Sequence, residues 1–196
     1  MFRYEKLNAS SIIVAPVIER VVEFSPSGLD AGDVARVLSL AVDGRAVSVE
    51  AGDGYAAVAG RVNFRLVYQD RDGAPRGVDY NADFNLRADG DFLAGDSVEA
   101  AVGVVEADVR TGERVVLTAV IGVRVQAVRR SEEECLVDAE KCYKTVESVA
   151  VPSLVASKTV GVSVTGEEDA GDVDAVLLAD AEAVVTSARA ESGKIV

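Results

Sequence analysis

Long stretches of the chain alternate apolar and polar residues with a period of two. From Val58 to Tyr68 the even positions hold Val58, Gly60, Val62, Phe64, Leu66 and Tyr68. Arg61, Asn63, Arg65 and Gln69 stand between or just beyond them. A strand places alternate side chains on opposite faces, so this pattern predicts a strand with one buried face. After Asp70-Arg71-Asp72-Gly73-Ala74-Pro75 the alternation resumes with Val78, Tyr80, Ala82, Phe84 and Leu86. Two such runs about a turn-forming segment predict a β-hairpin. A second pair is expected over Ser97–Val109 and Arg114–Val128, joined by Arg110-Thr111-Gly112-Glu113. In the latter strand Val115, Leu117, Ala119, Ile121, Val123 and Val125 share one face, while Val116, Thr118, Val120 and Gly122 share the other. Apolar residues on both faces predict a central strand covered on both sides.

Elsewhere the spacing changes. Val34, Val37, Leu38 and Ala41 fall at helical intervals after Asp30-Ala31-Gly32-Asp33, predicting a short helix with Asp30 or Asp33 as its cap. The pentapeptide Asp30-Ala31-Gly32-Asp33-Val34 recurs as Asp169-Ala170-Gly171-Asp172-Val173, an offset of 169 − 30 = 139. In the same register Val37-Leu38 matches Val176-Leu177, Val21 matches Val160 and Tyr4 matches Tyr143. One unbroken register argues for duplication of a module. The second copy stops where the first enters its longest strands, with Gly193-Lys194-Ile195 opposite Gly60-Arg61-Val62. The expected organisation is therefore a complete antiparallel β-sandwich module over 1–128, a linker over 129–150 and a truncated second copy over 151–196. The linker is expected to be helical, since Ser131 and Glu134 are spaced as a capping box and Cys135, Ala139, Cys142, Tyr143 and Val146 share a helical face. The incomplete copy would leave open sheet edges, and with them a route to self-association unless more chain follows.

Composition narrows the chemistry. The apolar fraction of 49% is weighted to Val and Ala, with 5% aromatics and no Trp, which favours strands around a thin core of small side chains. The net charge of −13, from 20 basic and 33 acidic residues, argues against nucleic acid and anionic membrane surfaces as partners. No histidine is present, which removes the commonest general base, the Ser-His and Cys-His pairs and most zinc sites. No apolar run approaches the length of a membrane span, and no secretion signal is recognisable in MFRYEKLNASSIIVAPVIERVV, so a cytoplasmic protein is expected.

Each candidate site has a plainer structural alternative. Asp70-x-Asp72-Gly73 resembles the start of a calcium loop but lacks its later ligands, and reads better as a solvated hairpin turn. Asp79, Asp83, Asp89, Asp91 and Asp96 could supply paired carboxylates, although Asp79 and Asp83 belong to the polar face of a strand. Gly52-Asp53-Gly54 is expected to be a turn between strands. Cys135 and Cys142 lack the Cys-x-x-Cys spacing of a redox pair, and their redox state is left open. Asp33 and Asp172 fit helix caps as well as binding residues. No catalytic, cofactor-binding or metal-binding residue is assigned, and no cofactor is expected.

The order of these signals resembles the SPOCS-domain family of SipL-like spore-coat assembly proteins. Gly32-Asp33-Val34-Ala35-Arg36-Val37-Leu38, and its second copy Gly171 to Leu177, look like that family's turn and short helix. Gly60 to Tyr68 followed by Asp70-Arg71-Asp72-Gly73 resembles its long strand and turn, and Val78–Phe84 and Arg114–Val125 its later strands. Gly32 and Gly171 stand where the family usually has Pro. The resemblance spans about residues 10 to 128 and the start of a second copy. It implies a non-enzymatic structural or adaptor protein on the mother-cell side of the forespore surface, with coat or coat-assembly proteins as partners. The alternative is a surface or secreted β-sandwich binding module of adhesin or carbohydrate-binding type.

Overall fold

A computed structural model of the chain describes residues 2–140 and, beyond them, 143, 145, 147–148, 161–167, 171–179, 181, 184–187, 189–191 and 194–195. Among these it contains strands β1 (Phe2–Val14), β2 (Ile18–Phe24), β3 (Arg36–Gly52), β4 (Tyr55–Gln69), β5 (Pro75–Asp89), β6 (Ser97–Thr111) and β7 (Val115–Ala139). Two short strands, β8 (Ala190–Glu191) and β9 (Lys194–Ile195), pair with each other. No helix among the described residues is long and apolar enough to cross a membrane.

Strands β1 to β7 form two antiparallel sheets packed face to face. In sheet A the central strand is β7, with β6 on one side and β1 and β2 in succession on the other. Pro16 explains that succession. It has no N–H for the ladder, so one long strand breaks there after Ala15 donates to the Val125 carbonyl at 3.0 Å. Sheet B is the meander β3-β4-β5. At the flanks β3 runs beside β6 and β2 beside β5, where the Phe24 and Tyr80 rings stand 5.5 Å apart.

The core is the apolar set that alternation marks out. Val115, Leu117, Ala119, Ile121, Val123, Val125 and Ala127 on β7 are at most 1% exposed, facing Val58, Val62, Phe64 and Leu66 on β4. Most of these side chains are small. Gly60 lets the Phe84 ring lie across it, since a Cβ there would fall 2.2 Å from the ring. Phe92, fully buried, comes from the β5–β6 loop. That loop is tied to the β3–β4 turn, where Gly54 donates to the Phe92 carbonyl at 2.8 Å.

The short helix expected at the motif is present only as a 3-10 turn, and the helix expected after Ser131 is a strand. After Asp30 there is only a single 3-10 turn, Ala31–Asp33, and β3 begins at Arg36. The helical spacing came from β-bulges. The ladder with β4 shifts register between Val37 and Ser39 and again between Ala46 and Ser48. Val37, Leu40, Val42, Ala46 and Val49 pack on the core, while Leu38 and Val47 point out. One extra residue turns a period of two into a local step of three.

Residues 129–139, expected to open a helical linker, continue β7 and pair with β1 from Phe2↔Ala139 to Ser11↔Arg129. Tyr4 lies opposite Leu136, and Lys6 makes a 3.0 Å ion pair with Glu132. A long ladder with a distant strand overrides the local Ser131/Glu134 signal. β6 ends opposite Val128, so among the described residues this part of β7 and β1 forms a two-stranded arm. Its eleven β7 residues span about 35 Å.

Residues 151–160 and Asp169 and Ala170 of the second copy, and Cys142 of the linker, lie outside the described residues. Residues 171–179 form neither helix nor strand. Gly171 has φ +62°, a left-handed conformation that Gly32 does not share.

Candidate functional site

The β4–β5 loop satisfies its own charges. Asp70 Oδ1 accepts the backbone N–H of Asp72 at 3.0 Å and of Ala74 at 2.9 Å. Its Oδ2 takes Arg76 at 2.9 Å, and that guanidinium holds the carboxyl below its ordinary range. These are the lone pairs a calcium ion would need, so the loop is an Asx-type hairpin turn. Among the described residues no three His, Cys, Asp or Glu side chains converge as metal ligands.

The five acidic candidates are spread over two regions, and arginines pair with four of them. Asp83 binds Arg61 at 2.6 and 3.3 Å through both oxygens, a bidentate pair that lowers its pKa. Asp79 stands opposite Arg65 in the ladder, and Asp89 takes Arg87 at 2.8 Å. These three lie along β5. Asp91 and Asp96, in the β5–β6 loop, both meet Arg129, at 3.5 and 2.9 Å.

The remaining candidates have structural positions. Asp53 accepts the Ala94 N–H at 3.0 Å and helps fasten the loop that carries Phe92. Asp33 accepts the Asp30 N–H at 3.3 Å across the 3-10 turn, and Arg71 donates to the Gly32 carbonyl. Asp172 is exposed. Cys135 is half-buried in the arm, opposite Glu5.

Arg129 was not singled out from the sequence. It lies at the root of the arm, beside a cleft of about 560 Å³ lined by Leu93, Gly95, Asp96, Ser97, Val128 and Arg130 among others. The Asp96 side chain is only 4% exposed and grips the Arg129 guanidinium with both oxygens, at 3.0 and 2.9 Å. Its Oδ2 also accepts the Leu93 N–H at 2.9 Å, and its pKa is lowered chiefly by Arg129. A signal was present: period two, carried past Ala127, sets Arg129 on the core-facing side, where a charge requires a partner.

The outer face of sheet A has a different character. Ile12, Val14, Val17, Val21 and Val105 are 54–72% exposed there. Val105 and Val17 flank Gly122, each with a methyl about 3.5 Å from where a Cβ would stand. Val105 is the residue at the β6 bulge between Val104 and Glu106. Phe2, Tyr4 and Leu136 are exposed toward the end of the arm. This arrangement offers apolar surface and backbone edges for contact, in a protein whose arginine-paired carboxylates are dispersed. Compared with known proteins, the chain matches no family model, no curated protein and no solved structure.

Proposed function

We propose that the chain is a non-enzymatic β-sandwich adaptor that acts through protein–protein contacts. The observation that carries this reading is the apolar stripe Ile12, Val14, Val17, Val21 and Val105 on the outer face of sheet A. Apolar side chains exposed together on one sheet face, here interleaved with Glu19, Arg124 and Gln126, mark sites where another protein excludes water. The dispersal of Asp79, Asp83, Asp89, Asp91 and Asp96, with arginines beside them, supports a non-catalytic role. The resemblance to SPOCS-type modules supplies the setting: the surface of the developing spore, with coat or coat-assembly proteins as partners.

The test is photo-crosslinking in sporulating cells from positions 21 and 105, with recovered proteins identified by mass spectrometry. Coat-assembly proteins are the expected products, lost when Val21→Asp and Val105→Asp are combined. Absence of the protein from sporulating cells, or recovery of no protein partner, overturns the reading.

A further inference from the structure

Part of the second DAGDV copy lies against the outer face of sheet B. Arg65 of β4 donates from Nη1 to the Ala179 carbonyl at 2.6 Å. The Leu177 carbonyl stands over Gly77 of β5, 2.8 Å from where a Cβ would sit, and Leu177 is half-buried. Glycine within a strand is unfavourable for the sheet, and it marks places where other backbone approaches closely. Here the approaching backbone is visible. Any side chain at position 77 would collide with it.

The repeat explains why this segment is free to dock. At the offset of 139, Leu177–Ala179 corresponds to Leu38–Leu40 of β3, where Leu38 is the bulge and Ser39 and Leu40 pair with Val67 and Leu66 of β4. That place in sheet B is already filled. The segment from Gly171 to Ala179 carries Asp172 and Asp174 and no basic residue, while on the receiving face Asp43 holds Arg65 at 3.0 Å and Asp83 holds Arg61, so the contact is made by the segment's backbone carbonyls. Thirty residues separate Glu140 from Gly171, a reach of up to about 100 Å. That is about twice the length of a fifteen-residue strand such as β4.

We propose that Gly77 and Arg65 form a docking seat for the Gly171–Ala179 segment, filled in cis by the chain's own copy and in trans by that of a second chain. A head-to-tail contact of this kind is heterologous and extends into open assemblies. The cis segment competes at an effective concentration on the order of millimolar, so exchange in trans belongs to crowded layers and not to dilute solution. The proposal deepens the adaptor reading and rests on it for its biological setting.

The experiment uses the full chain with a benzophenone amino acid in place of Leu177, as an equimolar mixture of ¹⁵N-labelled and unlabelled protein. Irradiation in dilute solution is expected to link position 177 to β4 or β5 near Gly77 within one chain. Concentrated solutions are expected to add links of mixed isotope. Gly77→Val, an ordinary strand residue at an exposed position, should abolish both. Arg65→Met gives the same readout should the valine variant fail to fold. Links that fall elsewhere, or survive both substitutions, overturn the seat. Links that never mix isotopes overturn the exchange. Either failure leaves the search for coat partners as a separate test of the adaptor reading.

Discussion

Phe64 and Phe92 are the largest side chains with no accessible surface, and they fill the core from different places. Phe64 comes from the middle of β4, while Phe92 is held by a loop that Asp53 and Gly54 fasten to the neighbouring turn. In a core made mostly of valine and alanine, few neighbours are long enough to collapse into the space a ring leaves. Phe64→Ala is therefore expected to cost about 3–5 kcal/mol, read as a lower urea midpoint with an unchanged slope. Asp96 is a different kind of anchor. Its folded pKa is depressed by Arg129, so its contribution is present above the unfolded value of about 3.9 and is lost as pH falls through the lower folded value. Urea midpoints measured from pH 6 down to pH 2 should fall less steeply in Asp96→Asn than in the parent chain. Equal slopes would show that the pair does not couple to folding.

Strands whose period of two runs unbroken were legible from the sequence: β4, β5 and the first half of β7 occupy close to their expected spans. β3 was not, because bulges at Leu38 and Val47 shift its phase twice and imitate a helix. The arm was not legible either, because the partner of Arg129–Ala139 lies more than a hundred residues away, in β1. Of the candidate surface, the Asp70 turn could be read locally. The apolar stripe could not, since an outward valine in a valine-rich strand looks the same as an inward one. The bulge residue itself carries little packing. Val47→Thr should change stability by no more than about 0.5 kcal/mol. The arm should open independently of the sandwich, as an isolated strand pair is marginal in water. Hydrogen exchange is expected to be much faster over Phe2–Leu7 and Glu132–Leu136 than over Val58–Leu66 and Leu117–Val125. Uniform protection would show that the arm is held by further contacts.

At the scale of the whole molecule, the first strand pairs with the last of the sandwich. Phe2 meets Ala139 and Ile18 meets Val123, so sheet A cannot form until most of the chain has been made. Sheet B is a meander of neighbours and does not have to wait. Closing long loops before any contact repays their entropy slows folding, and a time constant in the range of milliseconds to seconds is expected from stopped-flow refolding. Microsecond folding would contradict a topology that depends on the β1–β7 ladder.

β7 belongs to both the sandwich and the arm, as one uninterrupted strand of 25 residues, about 80 Å long. Tension applied at Ala139 would therefore run along a single backbone into the middle of sheet A. There it would load the ladders with β6 and β2 in shear, many hydrogen bonds at once, rather than peeling them one by one. A module built this way can carry mechanical load between whatever holds its arm and whatever covers its sheet, as a tie rod does between two plates.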